Sequence, residues 1–161
     1  MKSGWRLSHA RGYLGLGLLE EAAAELAALP ADESESLEAL ELRALVLQAQ
    51  HQWLLLQPVA AALVGHQPGE AGWWITWAYA TRRADSLANA EAILRDAEIR
   101  HPEEPAIQFN LGCYACQRGD LVEARRRVDR AIALDASFRQ QAADDDDLAP
   151  LRAAGYQPGN K

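Results

Sequence analysis

Apolar residues recur at helical spacing through most of the chain, and residues 105–138 show the pattern most clearly. The spacing predicts one amphipathic helix over about 106–118 and a second over about 121–134. Gly119 and Asp120 lie between them, where glycine allows a positive φ after a helix and aspartate caps the next one. A single helix pair cannot bury its apolar face alone, so we expect neighbours of the same kind.

The same pattern recurs at intervals of 34 residues and predicts four helix pairs, which cover residues 3–36, 37–70, 71–104 and 105–138. Small residues such as Ala124 recur on the inner faces of the helices, where they allow close packing. After the last pair the periodic pattern stops.

The second pair is the least regular of the four. His51 stands where the first and fourth pairs have a glycine, and Pro58 falls inside the expected second helix, where it removes a backbone hydrogen bond. Two interpretations remain open: the second helix continues through Pro58 with a kink, or the first helix is longer and Pro58 starts a shorter one. The first is favoured because Leu56, Ala60 and Leu63 keep the expected spacing.

The segments outside the helix pairs are polar or short. Residues 31–36 are expected to form a polar linker. Residues 139–152 are expected to cap the last pair, with Leu148 folding back onto it, because a stack of repeats needs a polar outer surface at its end. We therefore predict a single domain over 1–152 and a flexible tail over 153–161.

The composition supports a helical fold. The 161 residues are 49% hydrophobic, with alanine and leucine far more frequent than valine and isoleucine, which favours an all-α core. A net charge of −7 argues against nucleic acid or an anionic membrane as a partner. No apolar run has the length of a secretory signal or a spanning helix. We therefore expect a cytoplasmic protein.

Several residues of the fourth pair stand at the spacing of the tetratricopeptide repeat (TPR) signature, which this chain resembles. The matching positions are Leu111, Gly112, Gly119, Ala124, Val128 and Ala131, and Ala136 stands where that family usually has proline. The resemblance implies an all-α, TPR-like α-solenoid, in which antiparallel helix pairs form a right-handed superhelix with a C-terminal capping segment. In that family, an extended peptide or a helix of a partner binds in a concave groove.

The resemblance therefore implies a non-enzymatic protein–protein interaction module that binds a peptide or helix in such a groove. Carried over position by position, the groove is lined by Leu7, Arg11, Leu14, Glu41, Leu45, Gln48, Ile75, Tyr79, Arg82, Phe109, Asn110 and Cys113. The carboxylate clamp of the chaperone-binding subclass is not expected, because Leu7 and Glu41 are not lysine. A secretion-type or assembly chaperone and a self-associating scaffold, hence a homo-oligomer, are the alternatives.

Cys113 and Cys116 form a CxxC pair, a spacing that supports redox chemistry or zinc binding in other settings. Here the pair lies in the middle of a predicted helix, and the sequence has no second cysteine pair to complete a zinc site. The four aspartates at 144–147 lack the spacing of a calcium loop. We therefore expect no cofactor, no metal and no catalytic residue, and we keep a thiol redox or metal site at the CxxC pair as the alternative from another class.

Two further clusters have structural interpretations. Residues 125–127 and Arg130 form a basic strip, which we interpret as a solvated helix surface and not as a nucleic-acid site. Trp73, Trp74 and Trp77 are interpreted as packing between repeats.

Overall fold

The computed structural model describes residues 4–159, and within that range the chain folds into helices without strands. Its α-helices are α1 (Gly4–Gly15), α2 (Leu19–Ala27), α3 (Ala31–Ser34), α4 (Leu37–Ala49), α5 (Trp53–His66), α6 (Ala71–Ala84), α7 (Leu87–Arg100), α8 (Pro105–Gln117), α9 (Leu121–Leu134), α10 (Phe138–Asp144) and α11 (Ala149–Ala153), with a 3-10 turn at Asp146–Leu148. None of the helices in the described range combines the length and the apolarity that crossing a membrane requires.

The helices form two compact units, and the chain passes from one to the other between Asp85 and Ser86. In the first unit, α1 packs against α2, α4 contacts α1, α2 and α5, and α5 packs against α6. In the second unit, α8 packs against α7 and α9, and α10 and α11 pack against α9. The boundary falls inside the third predicted helix pair, and the single domain over 1–152 stays a prediction.

The 34-residue period is visible in the buried side chains of each unit. Four sets of buried residues keep this interval: Ala10, Ala44, Ala78 and Gly112; Ala22, Leu56, Ala90 and Ala124; Leu26, Ala60, Leu94 and Val128; and Leu29, Leu63, Ala97 and Ala131. The first set is small because the helices approach closely there. A Cβ atom added at Gly112 would lie 2.8 Å from Cγ2 of Val128, so only glycine fits between α8 and α9.

Three of the four turns within the predicted pairs also share one backbone conformation. Gly17, His51 and Gly119 have φ values of 74°, 56° and 88°, in the left-handed region that favours glycine. In each case the N–H of the following residue donates a 2.9 Å hydrogen bond into the preceding helix, which closes its C-terminus. Asp85, at the equivalent place in the third pair, has φ −134° and lies at the unit boundary.

Side-chain caps explain where several helices begin. Ser36, Ser86 and Asp120 each precede a helix, and each side-chain oxygen accepts a hydrogen bond of 3.0–3.3 Å from the N–H three residues further on. Such a bond satisfies a backbone donor that the helix itself leaves unpaired. Asp120 therefore caps α9 as the sequence predicts, and Ser36 and Ser86 cap α4 and α7 in the same way.

Two local predictions have different outcomes. α5 runs through Pro58, as the favoured interpretation of the second pair requires. The polar linker predicted for 31–36 is wrong over Ala31–Ser34, which form the short helix α3. Pro30 precedes this helix, and the N–H of Ser34 donates a 2.9 Å hydrogen bond to the Pro30 carbonyl.

The segment after α9 covers part of the second unit. Phe138, at the start of α10, lies with its ring centroid 5.1 Å from that of Phe109 on α8. Leu148 is fully buried, and Leu151 is nearly so. The 3-10 turn and α11 both contact α8. The residues predicted as a capping segment, 139–152, therefore pack onto the last helix pair.

This packing continues beyond residue 152. Tyr156 is buried, and its hydroxyl donates a 2.7 Å hydrogen bond to Asp129 on α9. Burial and this contact with a carboxylate raise the pKa of Tyr156. At Tyr156 the structure therefore differs from the flexible tail predicted for 153–161, because an aromatic side chain finds both an apolar site and a hydrogen-bond acceptor.

Candidate partner-binding surface

An open pocket of about 500 Å³ lies in the first unit, between α4 and α6. α4 supplies Glu41 and Leu45, two of the residues that the sequence predicts for a groove. The remaining lining residues belong to the turn before α6 and to the start of that helix: Gln67, Glu70, Gly72, Trp73 and Thr76. α4 and α6 are the first helices of the second and third predicted pairs.

The aromatic wall of the pocket is held in place by hydrogen bonds. The indole N–H of Trp73 donates a 2.9 Å bond to Oε1 of Gln67. The neighbouring indole of Trp74 donates a 3.1 Å bond to the carbonyl of Pro68. Both bonds tie α6 to the turn before it. Beside this wall, Gly72 leaves open space, since a Cβ atom built there has no neighbour within 4 Å.

The pocket combines apolar surface with unpaired negative charge. Leu45 is 45% exposed, although α4 packs against α1, α2 and α5. Glu41 is half-buried and Glu70 is exposed, and neither carboxylate has a hydrogen bond or an ion pair within residues 4–159. The lining includes no basic residue. The pocket therefore carries a negative potential that the first unit does not neutralise locally.

The sequence prediction omits five of the seven residues that line this pocket. The resemblance selects positions on the first helix of each repeat, so the turn over 67–70 falls outside it. Trp73 is interpreted from sequence as packing, and the structure shows that it also forms part of the pocket wall. The signal that could have identified this site is the Pro68-Gly69 turn immediately before the tryptophans.

The other predicted groove residues on α1 and α4 lie outside the pocket lining. Leu7 is buried, and Leu14 packs against the adjoining hydrophobic core. Arg11 is exposed and forms an ion pair with Glu38 on α4. Gln48 is exposed.

The predicted groove residues on α6 are largely engaged within the first unit. The ring of Tyr79 meets that of Trp53 edge-on, with centroids 5.3 Å apart. The guanidinium of Arg83 lies over both rings and donates a 2.8 Å hydrogen bond to the Tyr79 hydroxyl. Ile75 and Arg82 are half-buried. This cluster stabilises the contact between α5 and α6.

The predicted groove residues on α8 are covered by their own chain. Phe109 is 5% exposed and packs against Phe138 at the start of α10, and Cys113 is 3% exposed. Asn110 is half-buried, and its amide donates a 2.8 Å hydrogen bond to the carbonyl of Ala106. Phe109 and Cys113 therefore offer no open surface in the second unit.

The basic strip on α9 is engaged with acidic residues. Arg127 is only 4% exposed; it donates hydrogen bonds of 2.8 Å to Glu123 and to Oε1 of Gln108 on α8, and it pairs with Glu98 on α7. Arg126 is exposed and also pairs with Glu123. One of the arginines thus joins three helices, while its neighbour faces solvent.

The same network sets the ionisation of its acids. Burial alone would raise the pKa of Glu98, but hydrogen bonds from Arg127 and Gln108 outweigh it and hold this pKa below its ordinary value. Burial likewise opposes ionisation of Glu123, and bonds from Arg127 and Arg126 lower its pKa. Both glutamates are therefore held in their charged form.

Within residues 4–159, only Cys113 of the CxxC pair belongs to a group of potential metal ligands. Cys113 lies beside Asp145 and Asp147, with potential ligand atoms of the three residues all within 4.8 Å of one another. Cys116 is outside this set. Burial raises the pKa of the Cys116 thiol, which disfavours the reactive thiolate. The spacing that suggests redox chemistry is here a pair of buried thiols on α8.

Comparison with solved structures identifies the fold. MamA MSR-1 C2 superposes with a TM-score of 0.75 over 85% of this chain and 79% of its own, at 16% identity. A MamA RS-1 ArsTM double mutant gives 0.72 over 88% of this chain and 76% of its own, at 19% identity. TTC0263, a thermophilic TPR protein in Thermus thermophilus, gives 0.65 over 94% and 87%, at 18% identity. The chain has a TPR-like fold.

This result confirms the all-α, TPR-like class predicted from the sequence. No protein-family model and no curated protein matches the sequence. At identities below one fifth, what this chain shares with these structures is the TPR-like backbone. The residues that a TPR-like surface presents to a partner must therefore be argued from this chain alone.

Proposed function

We propose that this TPR-like chain is a non-enzymatic protein–protein interaction module, and that it binds a peptide or helix of a partner through the face formed by α4 and α6. The observation that carries the proposal is the open pocket that contains Glu41 and Leu45. It exposes an aliphatic side chain and an aromatic wall between two first helices, at positions where the TPR resemblance implies a groove. Partly apolar concave sites with a few polar groups are typical of peptide-binding surfaces.

A matched pair of leucine substitutions tests this proposal. Leu45 and Leu54 are both exposed leucines of the first unit, but only Leu45 lines the pocket. Partners captured from the source cell with the full chain are compared by mass spectrometry for wild type, Leu45→Asp and Leu54→Asp. We expect at least one partner to be lost on Leu45→Asp and retained on Leu54→Asp. Equal recovery with both variants would contradict the proposed surface.

The alternative from another class, a thiol site at Cys113 and Cys116, has a separate test. Both thiols are buried, and the pKa of Cys116 is raised by that burial. We expect a thiol reagent to react slowly with the native chain and rapidly after urea denaturation. Fast reaction of the native chain near neutral pH would support a reactive thiolate.

A further inference from the structure

We infer that the pocket between α4 and α6 receives a lysine or arginine side chain of a partner protein, with an aliphatic residue of the same segment beside it. The inference rests on the proposed function and specifies the chemistry of the partner. It follows from three observations: the unpaired carboxylates, the exposed apolar surface next to them, and the open space at Gly72.

The unpaired carboxylates favour a positively charged group in the partner. Glu41 is half-buried, so it is partly withdrawn from water, yet no cation of the described chain pairs with it. In the same unit, the half-buried Glu25 does have a cation: it pairs with Arg6 at 2.8 Å. A second carboxylate, Glu70, lines the same pocket. A cation of a partner would gain charge-assisted hydrogen bonds from these groups, whereas an anion would be repelled.

The apolar surface favours a charged side chain that also has a long hydrocarbon stem. Lysine and arginine carry a long hydrocarbon stem below the charged group, and this stem packs on apolar surface while the charge reaches polar partners. Leu45 and the wall at Trp73 offer that surface beside the two glutamates. An aliphatic neighbour in the partner segment would cover the part of Leu45 that remains exposed.

The overall charge favours a different protein over a second copy of this chain. The net charge is −7, so two copies repel one another at long range, and a negative pocket adds to that repulsion. A basic segment of a partner would instead be steered toward the pocket, and its binding would weaken as salt is raised.

The test uses the full chain and a displayed library of random short peptides as the probe. Selected peptides are synthesised, and their Kd values are measured by fluorescence anisotropy at low and high salt. We expect enrichment of lysine or arginine adjacent to leucine, isoleucine or valine. We expect Glu41→Gln with Glu70→Gln to weaken binding at least about tenfold, the order expected when charge-assisted hydrogen bonds are lost.

Two control variants separate the pocket from general charge and from folding. Glu21→Gln with Glu103→Gln removes the same charge at exposed acids whose carboxylates have no partner within residues 4–159, and should leave Kd unchanged. Gly72→Leu fills the pocket from a helical position with open space and should abolish binding. Gly12→Leu makes the same change in α1, where the added side chain also meets open space. This variant should still bind the peptides.

The outcomes distinguish this inference from the proposed function. Selected peptides that are acidic or neutral, or basic peptides that bind the Glu41→Gln, Glu70→Gln variant as tightly as wild type, would overturn the inference and leave a peptide-binding module. Selection of no peptide would overturn both. Self-association in sedimentation that disappears on Glu41→Gln with Glu70→Gln would also overturn the inference, since the occupant would then be a second copy.

Discussion

The helices α4 and α8 place equivalent repeat positions in opposite environments. Glu41 and Leu45 on α4 line an open pocket, whereas Phe109 and Cys113 on α8 are buried. The difference comes from the segment that follows α9, because Phe138 at the start of α10 packs against Phe109. A repeat position therefore does not by itself determine a binding surface; the neighbour that packs on it does.

The acids around Arg127 and the acids of the pocket also differ in how their charge is balanced. In the second unit, Arg127 joins Glu98 and Glu123 in a network that is mostly closed to solvent. In the first unit, the carboxylates of Glu41 and Glu70 have no partner within the described residues. Charges that are paired inside a unit stabilise it, and unpaired charges on an open surface remain free to contact another protein. Four predictions test this contrast.

The largest effect is expected on breaking the buried network. Arg127→Ala should lower the free energy of unfolding by about 3 kcal/mol or more, because it leaves partly buried acids without their cation. Arg126→Ala is the matched control: it contacts the same Glu123 from an exposed position and should cost less than about 1 kcal/mol. Urea unfolding followed by circular dichroism measures both. Equal losses would show that the burial of Arg127 is not what stabilises the second unit.

The next largest loss of stability is expected from loosening the segment around Leu148, which packs on α8. Leu148→Ala removes a fully buried side chain and should cost about 2–4 kcal/mol. Hydrogen exchange of α8 should accelerate at the same time, because its cover is loosened. Ile99→Ala, at an 81% exposed position of the same unit, should change the stability by less than about 0.5 kcal/mol. Unchanged exchange of α8 in the Leu148→Ala variant would contradict the covering role.

A smaller change in stability should distinguish substitutions at two helical glycines, Gly112 and Gly72. Gly112→Leu forces a side chain against Val128 and Ala124, and should cost about 1–3 kcal/mol through overpacking. Gly72→Leu meets open space and should be neutral or slightly stabilising, since leucine favours a helix more than glycine does. Thermal unfolding of both variants measures the difference. A loss of the same size at Gly72 would mean that the pocket is not open.

The smallest effect is expected in how stability depends on pH, through the ion-pair network around Arg127. The folded pKa of Glu98 lies below its ordinary value, so its contribution to stability is present above the ordinary pKa and is lost as pH falls through the lowered one. Glu98→Gln should therefore lose less stability between neutral and acidic pH than wild type does. Parallel curves for wild type and Glu98→Gln would contradict this account.

The parts of the fold that depend on local sequence could be predicted. Gly119 marks a turn because few other residues adopt its φ of 88°, and Asp120 marks the next helix because its side chain caps it. The 34-residue interval follows from residues such as Ala124 that must be small or apolar in every pair. These signals lie within a few positions of the features they specify.

The features that depend on distant contacts could not be predicted. The sequence contains Arg126 and Arg127 side by side, and only one of them is buried, because α9 packs against α8 and Arg127 pairs with Glu98 on α7. The same holds for Phe109, which is covered by Phe138 at the start of α10. His51 adopts a positive φ that its residue type disfavours, because the turn between α4 and α5 requires it.

The central claim is that the face at α4 and α6, rather than the covered face of α8, contacts the partner. The direct measurement is photo-crosslinking in the source cell, with p-benzoylphenylalanine placed at Leu45 in one full-length variant and at Leu54 in another. We expect a partner adduct from position 45 that is absent from position 54 and disappears on Glu41→Gln with Glu70→Gln. No adduct at position 45, or the same adducts from both positions, would contradict it.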